Sequence, residues 1–314
     1  MLTADASGQT KRNTFHRELV KCDDSARVDI ESPRSHSDSL AQMIWSSYTD
    51  HMTYFVIDAF TDKAFAGNPA AVCLLEKPLS SELMAAIARE MNLSETAFVL
   101  WEGDAWRLRW FTPAVEVPLC GHGTLATARA LHEAGLVTGD RVHFRSLSGD
   151  LAARYHDDWI ELDFPSLPPA PAHVPAEVIA ALRLEAAPRR AGVNSHHYWL
   201  LDVGSAAAVR SLAPDPAATM ALKMPGIIVT GAGDTPYDFT SRFFAPADGI
   251  FEDPVTGSAH SALVPYWADV LGKTDFLAFQ ASARGGILKV RLAGDRVLIA
   301  GQTVVVATGD LLVS

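Results

Sequence analysis

The sequence has little of what several classes of protein require. It contains 3 cysteines in 314 residues, at positions 22, 73 and 120, and this odd number of widely spaced thiols argues against a disulfide framework. Acidic residues outnumber basic ones, 37 to 26, so the basic surface of a nucleic-acid-binding protein is not expected. No apolar run approaches the roughly 20 residues that span a bilayer. We therefore expect a cytoplasmic protein with no nucleic-acid or membrane partner.

Metal-binding motifs are also lacking. The sequence has no Cys-x-x-Cys or His-x-x-x-His pair, the spacings typical of structural zinc sites. The adjacent His196 and His197 have no further histidine, cysteine or carboxylate at a spacing typical of metal-binding motifs. The sequence therefore predicts no metal site.

Composition divides the chain into a polar extension and two domains. Hydrophobic residues make up 48% of the whole chain and charged residues 20%, as in globular proteins. Residues 1–51 have few apolar side chains and no clear period, so we predict a disordered extension. The first domain is predicted over 52–165. A proline-rich stretch at 165–171 then separates it from a second domain over 166–314, whose last strand can return to the first.

Strand and helix patterns alternate without the regularity of a doubly wound parallel sheet. Strands are predicted at 70–75, 106–111, 159–164, 226–230 and 237–244, and helices at 80–91 and 175–187. The tail at 287–313 has turn residues at 293–296 and 308–310, which predict an antiparallel meander. These patterns favour the α+β class, with mixed sheets packed on helices.

One pattern occurs twice. Residues 121–136 and 257–272 both begin with a glycine turn and continue as a helix of small residues, and both follow a strand that ends in Phe-x-Pro. The side chains rarely match one to one, yet the length and plan agree. We therefore predict two pseudo-equivalent domains.

Each of these helix starts is a candidate binding site for an anion. Gly121 and Gly123 on one, and Gly257 with Ser258 on the other, leave backbone N–H groups open at the positive end of a helix. Asp253, just before the second start, is either a helix cap or a ligand-binding group. A turn that binds nothing is the alternative for each motif alone. If both starts face one cleft, they can clamp a small carboxylate.

Two side chains at the first helix start could take part in chemistry. His122 is expected to be neutral because the helix dipole disfavours a positive charge there. Cys120 could be an acidic thiol. However, a racemase with two thiols needs a second cysteine facing the first, and neither Cys22 nor Cys73 is a suitable partner. The two-thiol mechanism is therefore not supported.

Glu95 is the candidate acid–base residue. It lies between a predicted helix and the apolar run 97–100, with hydroxyl side chains on both sides at Ser94 and Thr96. A carboxylate held against an apolar wall suits general acid–base catalysis. The alternative is an exposed glutamate at the end of a helix, and sequence spacing does not decide between the two.

Six short motifs, in order along the chain, resemble those of the PhzF family of phenazine biosynthesis-like isomerases. They occupy 54–61 with 65–72, 91–98, 111–113 with 116–122, and 252–259. The resemblance extends from about Tyr54 to the C-terminus. It implies the diaminopimelate-epimerase-like fold, in which each of two similar domains wraps a sheet around a central helix and the active site lies between them.

The resemblance also implies roles for individual residues. Glu95 matches the family's acid–base glutamate, which moves a proton between ring carbons of a dihydro-hydroxyanthranilate without a cofactor. His122, Asp253 and Ser258 would bind the substrate, the amides near Gly121 and Gly257 would hold its carboxylate, and Asn68 would lie near the cleft. Gly123 departs from the family pattern of proline or alanine. A homodimer is expected from the family.

The sequence thus predicts a cofactor-independent isomerase that acts on a small carboxylate-bearing substrate. The alternatives are an epimerase or racemase of a small amino or hydroxy acid, and a non-catalytic protein that binds small acids.

Overall fold

The structure, a computed structural model, describes residues 50–313. The extension predicted over residues 1–51 lies outside this range except for its last two residues, which belong to the first strand. The strands are β1 Asp50–Ala59, β2 Asn68–Leu75, β3 Glu95–Trp101, β4 Trp106–Phe111, β5 Glu116–Val117, β6 Arg141–Ser146, β7 Gly149–His156, β8 Trp159–Pro165, β9 Ala170–Pro171, β10 Arg190–Val193, β11 Tyr198–Ser205, β12 Gly226–Ala232, β13 Phe239–Ala245, β14 Ile250–Asp253, β15 Asp275–Gln280, β16 Gly286–Ala293, β17 Arg296–Gly301 and β18 Thr303–Val313. The helices are α1 Ser81–Met91, α2 Gly121–Glu133, α3 Ala176–Leu182, α4 Ala206–Ser211, α5 Pro216–Ala221 and α6 Gly257–Leu271, with a 3₁₀ turn at Pro246–Asp248. No helix in the described range combines the length and apolar character that crossing a membrane requires.

The two halves of the chain pair their strands in the same succession. In the first half β1 and β2 are antiparallel, β2 and β3 parallel, β3 and β4 antiparallel, and β4 lies parallel to β6. The second half repeats this order with β10 and β11, β11 and β12, β12 and β13, and β13 with β15. The mixture of parallel and antiparallel pairs around helices confirms the predicted α+β class with mixed sheets.

The halves are joined by strands that pair across them. β8 and β17, at equivalent positions, lie antiparallel to each other. The strand after each then crosses over, since β18 pairs with β1 and the short β9 pairs with β10. Each half is therefore completed by a strand from the other.

Helices α2 and α6 occupy equivalent places inside these sheets. In α2 the side chains of Leu125, Ala126, Ala128, Ala130 and Leu131 are all fully buried. Their small size allows the helix to pack closely against strands of the first half on several sides. The counterpart α6 is buried in the same way, and both helices contribute to one large hydrophobic cluster. A helix that is apolar around most of its surface must lie inside the domain.

Two predicted elements differ from the structure. The helix predicted at 175–187 ends at Leu182, where Arg183 takes the left-handed conformation that terminates helices. The turn predicted at 308–310 is wrong, because these residues lie within β18 and Gly309 pairs with Tyr54 of β1. Pairing with a distant strand overrides the local preference of Gly-Asp for a turn.

An ion pair joins the start of the chain's first half to a loop of the second. Asp58, buried in β1, contacts Arg284 at 2.6 Å, and its other oxygen accepts a hydrogen bond from the backbone N–H of Phe65 at 2.6 Å. Arg284 also donates to the carbonyls of Ala66 and Gly67. The pair therefore fixes the 60–67 loop that leads into β2.

We predict that Asp58→Asn lowers the free energy of unfolding by about 2 kcal/mol, because it leaves Arg284 without its charged partner. This value is below that for a fully buried pair, since the Arg284 side chain is 32% exposed. Urea denaturation of the full chain measures the change.

The matched control is Asp163→Asn, which breaks a surface pair with Arg296 at 2.8 Å whose side chains are 53% and 43% exposed. A loss below about 1 kcal/mol is expected there. Equal losses in the two variants would contradict the role assigned to Asp58.

Candidate active site

The starts of α2 and α6 meet backbone to backbone. A Cβ atom placed on Gly121 would lie 3.5 Å from the Cα of Gly257. Both helices are longer than three turns, so each directs its unpaired N–H groups and the positive end of its dipole toward the shared space. The pair of helix starts predicted from sequence is thus brought together in the described range.

Gly123 is explained by its surroundings. A Cβ at this position would lie 2.8 Å from Cδ1 of Trp110 and 2.9 Å from Sγ of Cys120. Trp110 is almost fully buried behind the helix start and leaves no room for a side chain. The departure from the family pattern therefore accommodates a tryptophan.

Glu95 opens β3 and faces the first helix start. Its side chain is 13% exposed, so it is not a solvated residue at a helix end, and its Oε2 lies 2.9 Å from Nε2 of His122. The Sγ of Cys120, which caps α2 by accepting from the N–H of Gly123 at 3.3 Å, lies 3.6 Å from Nδ1 of His122. A carboxyl, an imidazole and a thiol therefore share one wall of the site.

The pKa of His122 is subject to opposing influences. Burial is the largest of them and lowers the pKa of the ring, whereas the nearby Cys120 and Glu95 raise it, and the net direction is well above its ordinary value. This direction is opposite to the one expected from the helix dipole alone. Burial also raises the pKa of the Cys120 thiol.

Asn68 connects this wall to the second half of the chain. Its Nδ2 donates to Oδ1 of Asp253 and to the carbonyl of Val255, both at 2.9 Å, and lies 3.2 Å from Nδ1 of His122. Asn68 is fully buried at the start of β2. One amide thus fixes the relative positions of two titratable groups from different halves.

Asp253 ends β14 just ahead of the second helix start. It accepts hydrogen bonds from Asn68 and from the hydroxyl of Thr256, and burial raises the pKa of its carboxyl to about 6. Gln280 holds this turn, donating to the carbonyl of Asp253 and accepting from the N–H of Thr256, both at 2.9 Å. Asp253 is thus a buried acid whose protonation changes close to neutral pH.

These groups line a cavity of about 110 Å³. Glu95, Gly121, His122, Asp253, Gly257 and Ser258 are among its lining residues. Of the residues predicted from sequence, Gly123 and Asn68 lie behind this lining and support it.

Sequence reasoning missed three residues of the site. Tyr198 and Asp248 line the cavity, and Gln280 positions the turn at Asp253. Burial raises the pKa of the Tyr198 phenol, which is hydrogen-bonded to Ser258. Burial and the negative charge of Glu95 raise the pKa of Asp248. None belongs to a recognisable motif, because strand pairing positions Tyr198 and Gln280, and the 3₁₀ turn after β13 positions Asp248.

The two halves match residue by residue at the site. Arg109 forms a bidentate pair with Glu116 in the first half, and Arg242 forms the same pair with Glu252 in the second. Counting forward from Glu116 and Glu252 aligns Pro118 with Pro254, Cys120 with Thr256, Gly121 with Gly257, and His122 with Ser258. The match, which is not evident when only the helices are compared, establishes the internal repeat.

Glu95 has no acidic counterpart in the second half. Thr96 pairs with Phe111, and Ile227 pairs with the equivalent Phe244, so the residue before Ile227, Gly226, corresponds to Glu95. A Cβ at Gly226 would lie 2.7 Å from atoms of both Tyr198 and Phe243. Aromatic rings therefore fill the space where a second carboxyl would stand.

Known proteins match the chain along almost the whole described range. The profile of the phenazine biosynthesis-like protein family, PhzC-PhzF, matches residues 57–309. A protein named an uncharacterized isomerase from Pseudomonas aeruginosa is 49% identical over 266 residues, covering 84% of this chain and 99% of its own. A mouse protein named phenazine biosynthesis-like domain-containing protein 2 is 43% identical, covering 82% of this chain and 98% of its own.

Solved structures agree. A PhzF-family protein from Enterococcus faecalis is 41% identical, with a TM-score of 0.80, covering 84% of this chain and 100% of its own. A probable proline racemase from Agrobacterium radiobacter, 14% identical with a TM-score of 0.58 over 84% of this chain and 93% of its own, shares the fold. The chain belongs to the PhzF family of phenazine biosynthesis-like proteins.

Proposed function

We propose that this protein is a cofactor-independent isomerase in which Glu95 moves a proton between two positions of a small carboxylate-bearing substrate. The observation that carries the proposal is the one-sided placement of Glu95 beside a paired helix start. Glu95 reaches the cavity from the first half, and its counterpart Gly226 offers no second carboxyl. The names of curated relatives as isomerases support the reaction class.

The helix starts supply the binding energy for the substrate carboxylate. The amides near Gly121 and Gly257 and the hydroxyl of Ser258 line the cavity together. Their partial positive charges are fixed before the reaction, so they stabilise the negative charge that develops when a neighbouring carbon loses its proton. Such preorganised donors commonly give the largest catalytic contribution.

Glu95 then acts as both base and acid. A C–H bond of the substrate breaks, and the proton bonds to an oxygen of Glu95. The electron pair of that bond delocalises into the conjugated system of the substrate as an enolate. Glu95 returns the proton to a second carbon, and the double bond moves with it. One carboxyl on one face suits a proton shift along the substrate.

The epimerase alternative needs an acid on the opposite face. The positions that correspond to Glu95 and Cys120 hold Gly226 and Thr256, and neither can deliver a proton in place of a carboxyl or thiol at neutral pH. Asp253 and Asp248 are the other carboxyls that line the cavity. The oxygens of Asp253 already accept from Asn68 and Thr256, and Asp248 lies in the 3₁₀ turn, outside the positions equivalent to Glu95 and Cys120. The one-base isomerase is therefore the better supported reaction.

We predict that wild-type protein incorporates deuterium from D2O into its substrate and that Glu95→Gln reduces the rate about a thousandfold, the usual range for loss of a general base. Mass spectrometry on a panel containing dihydro-hydroxyanthranilate and small carboxylic acids, with and without amino groups, measures the label.

Glu90→Gln, a change in an exposed residue of α1, is the matched control and should keep the wild-type rate. Label that persists in Glu95→Gln would assign the base elsewhere. Ligand binding with no label in either protein would favour the non-catalytic binding protein.

The raised pKa of Asp253 should make the stability of the folded protein depend on pH, which tests whether this buried carboxyl is kept at a cost in stability. Its carboxyl ionises near its ordinary pKa of 3.8 in the unfolded chain and near about 6 in the folded one. The folded state therefore binds more protons between these values, and its stability falls as pH rises from about 4 to about 6. Above that range the ionised carboxyl carries the full penalty.

We predict that Asp253→Asn raises the free energy of unfolding at pH 8 by about 2 kcal/mol and lowers the exchange rate. The gain should disappear at about pH 3, below both pKa values, where the carboxyl of the wild type is protonated in both states. Chemical denaturation at the two pH values measures it. A variant less stable than wild type at pH 8 would show that the hydrogen bonds of Asp253 outweigh its desolvation.

A further inference from the structure

Three side chains of the first half form a potential metal-binding cluster. Glu95, Cys120 and His122 each place one ligand atom within 4.8 Å of the other two, and they are the one such group found among residues 50–313. We propose that these three side chains form a Zn²⁺ site, and that a bound ion blocks the acid–base chemistry of the same cavity. The sequence patterns predicted no metal site, since Glu95 is distant from Cys-Gly-His along the chain.

The donor atoms suit Zn²⁺ better than Mg²⁺ or Ca²⁺. A thiolate sulfur, an imidazole nitrogen and a carboxylate oxygen are the three ligand types that Zn²⁺ accepts, so binding releases the proton of the Cys120 thiol and any proton on Nε2 of His122 to water. Mg²⁺ and Ca²⁺ prefer sites built wholly of oxygen, so the sulfur and nitrogen exclude them. Each of the three side chains is at least largely buried, which protects an ion from competition by water.

The distances show which side chain must move to form a tetrahedral site. Zinc bonds of about 2.0 to 2.3 Å place neighbouring ligand atoms about 3.5 Å apart. Oε2 of Glu95 already lies 2.9 Å from Nε2 of His122. Sγ of Cys120 lies 4.0 Å from Nε2 but 3.6 Å from Nδ1 of the same ring, so binding through Nε2 needs a rotation of the Cys120 side chain or of the ring.

The orientation of the Glu95 carboxylate suits binding of an ion between Glu95 and His122. Although its Oε2 lies 2.9 Å from Nε2 of His122, this oxygen has no hydrogen-bond partner among the described residues. Ligands of one metal direct their lone pairs at the ion and not at each other. A buried carboxylate oxygen that lacks a directed partner is therefore suited to accept a cation.

The scaffold holds the ligands and leaves one position open. The N–H of Gly123 donates to Sγ of Cys120 at 3.3 Å, and Asn68 contacts the opposite nitrogen of His122 at 3.2 Å. All three ligands line the cavity, so a fourth position faces water or a substrate, as in zinc sites with three protein ligands.

The equivalent positions of the second half hold Gly226, Thr256 and Ser258. None of these offers a thiol, imidazole or carboxyl. The proposed site is therefore confined to the first half, although the backbone is repeated.

A bound ion would occupy the atoms that the reaction uses. It would take the lone pairs of Glu95 and Nε2 of His122, so Glu95 could no longer accept a proton from the substrate. This inhibitory effect rests on the proposed function, whereas metal binding itself does not. Binding and inhibition are therefore measured separately.

The first experiment titrates the full, metal-free chain with Co²⁺ and then displaces it with Zn²⁺. Coordination by Cys120 gives a thiolate-to-cobalt charge-transfer absorption that saturates at one equivalent and disappears as zinc replaces cobalt. Cys120→Ala should lose this absorption and bind Zn²⁺ at least about a hundredfold more weakly, since even outer partners of metal ligands change affinity by that much. Cys73→Ala and Cys22→Ala, which remove the other two thiols, should retain both properties.

Two results would overturn the site: no saturation at one equivalent in wild type, or unchanged absorption and affinity in Cys120→Ala. The second experiment repeats the deuterium exchange with one equivalent of Zn²⁺. Exchange that stops and returns with a chelator supports inhibition, and exchange that continues in zinc-loaded protein overturns it. Absence of exchange in metal-free protein refutes the proposed function and its inhibition, while cobalt absorption still decides the site.

Discussion

The meeting of two helix N-termini is the constraint on which the rest of the site depends. Each helix end carries roughly half a positive charge, and the Cβ position of Gly121 is 3.5 Å from the backbone of Gly257. Two like partial charges that face one cavity repel each other unless negative groups accompany them. Glu95 and Asp253 provide such groups from opposite halves, and the remaining donors of the helix starts favour an anionic ligand. The electrostatic potential of the cavity thus follows from the packing of the two helix starts against each other.

The backbone is symmetric at this point, but the side chains are not. Bidentate arginine–glutamate pairs, at Arg109 and Arg242, brace the turn before each helix in the same way. The chemistry-bearing residues then diverge, because Glu95 corresponds to Gly226 and His122 corresponds to Ser258. The repeated scaffold therefore carries different titratable groups at its two helix starts, with Glu95, Cys120 and His122 on one side and Asp253 on the other. In the proposed reaction this asymmetry favours a proton shift along the substrate, because Gly226 stands where a second carboxyl equivalent to Glu95 would lie.

The sequence was sufficient for the features that local chemistry determines. Glycine turns before small-residue helices mark the two helix starts, and capping-type residues and motif order lead to Glu95, His122 and Asp253. The sequence did not show which residues strand pairing would bring to the site. Tyr198 and Gln280 reach the site because β11 pairs with β12 and β15 pairs with β13, which no local pattern shows. For the same reason residues 308–310 form a strand and not a turn.

His122 shows why a local rule was incomplete. Burial and the helix dipole both disfavour a charged ring, but Oε2 of Glu95 lies 2.9 Å from Nε2, and Cys120 and Glu95 together shift the pKa of the ring upward. In the proposed reaction, proton uptake by Glu95 removes a negative charge beside His122, which lowers the pKa of the ring and makes it a better hydrogen-bond donor to a developing negative charge. Glu95 and His122 are therefore expected to titrate as a coupled pair.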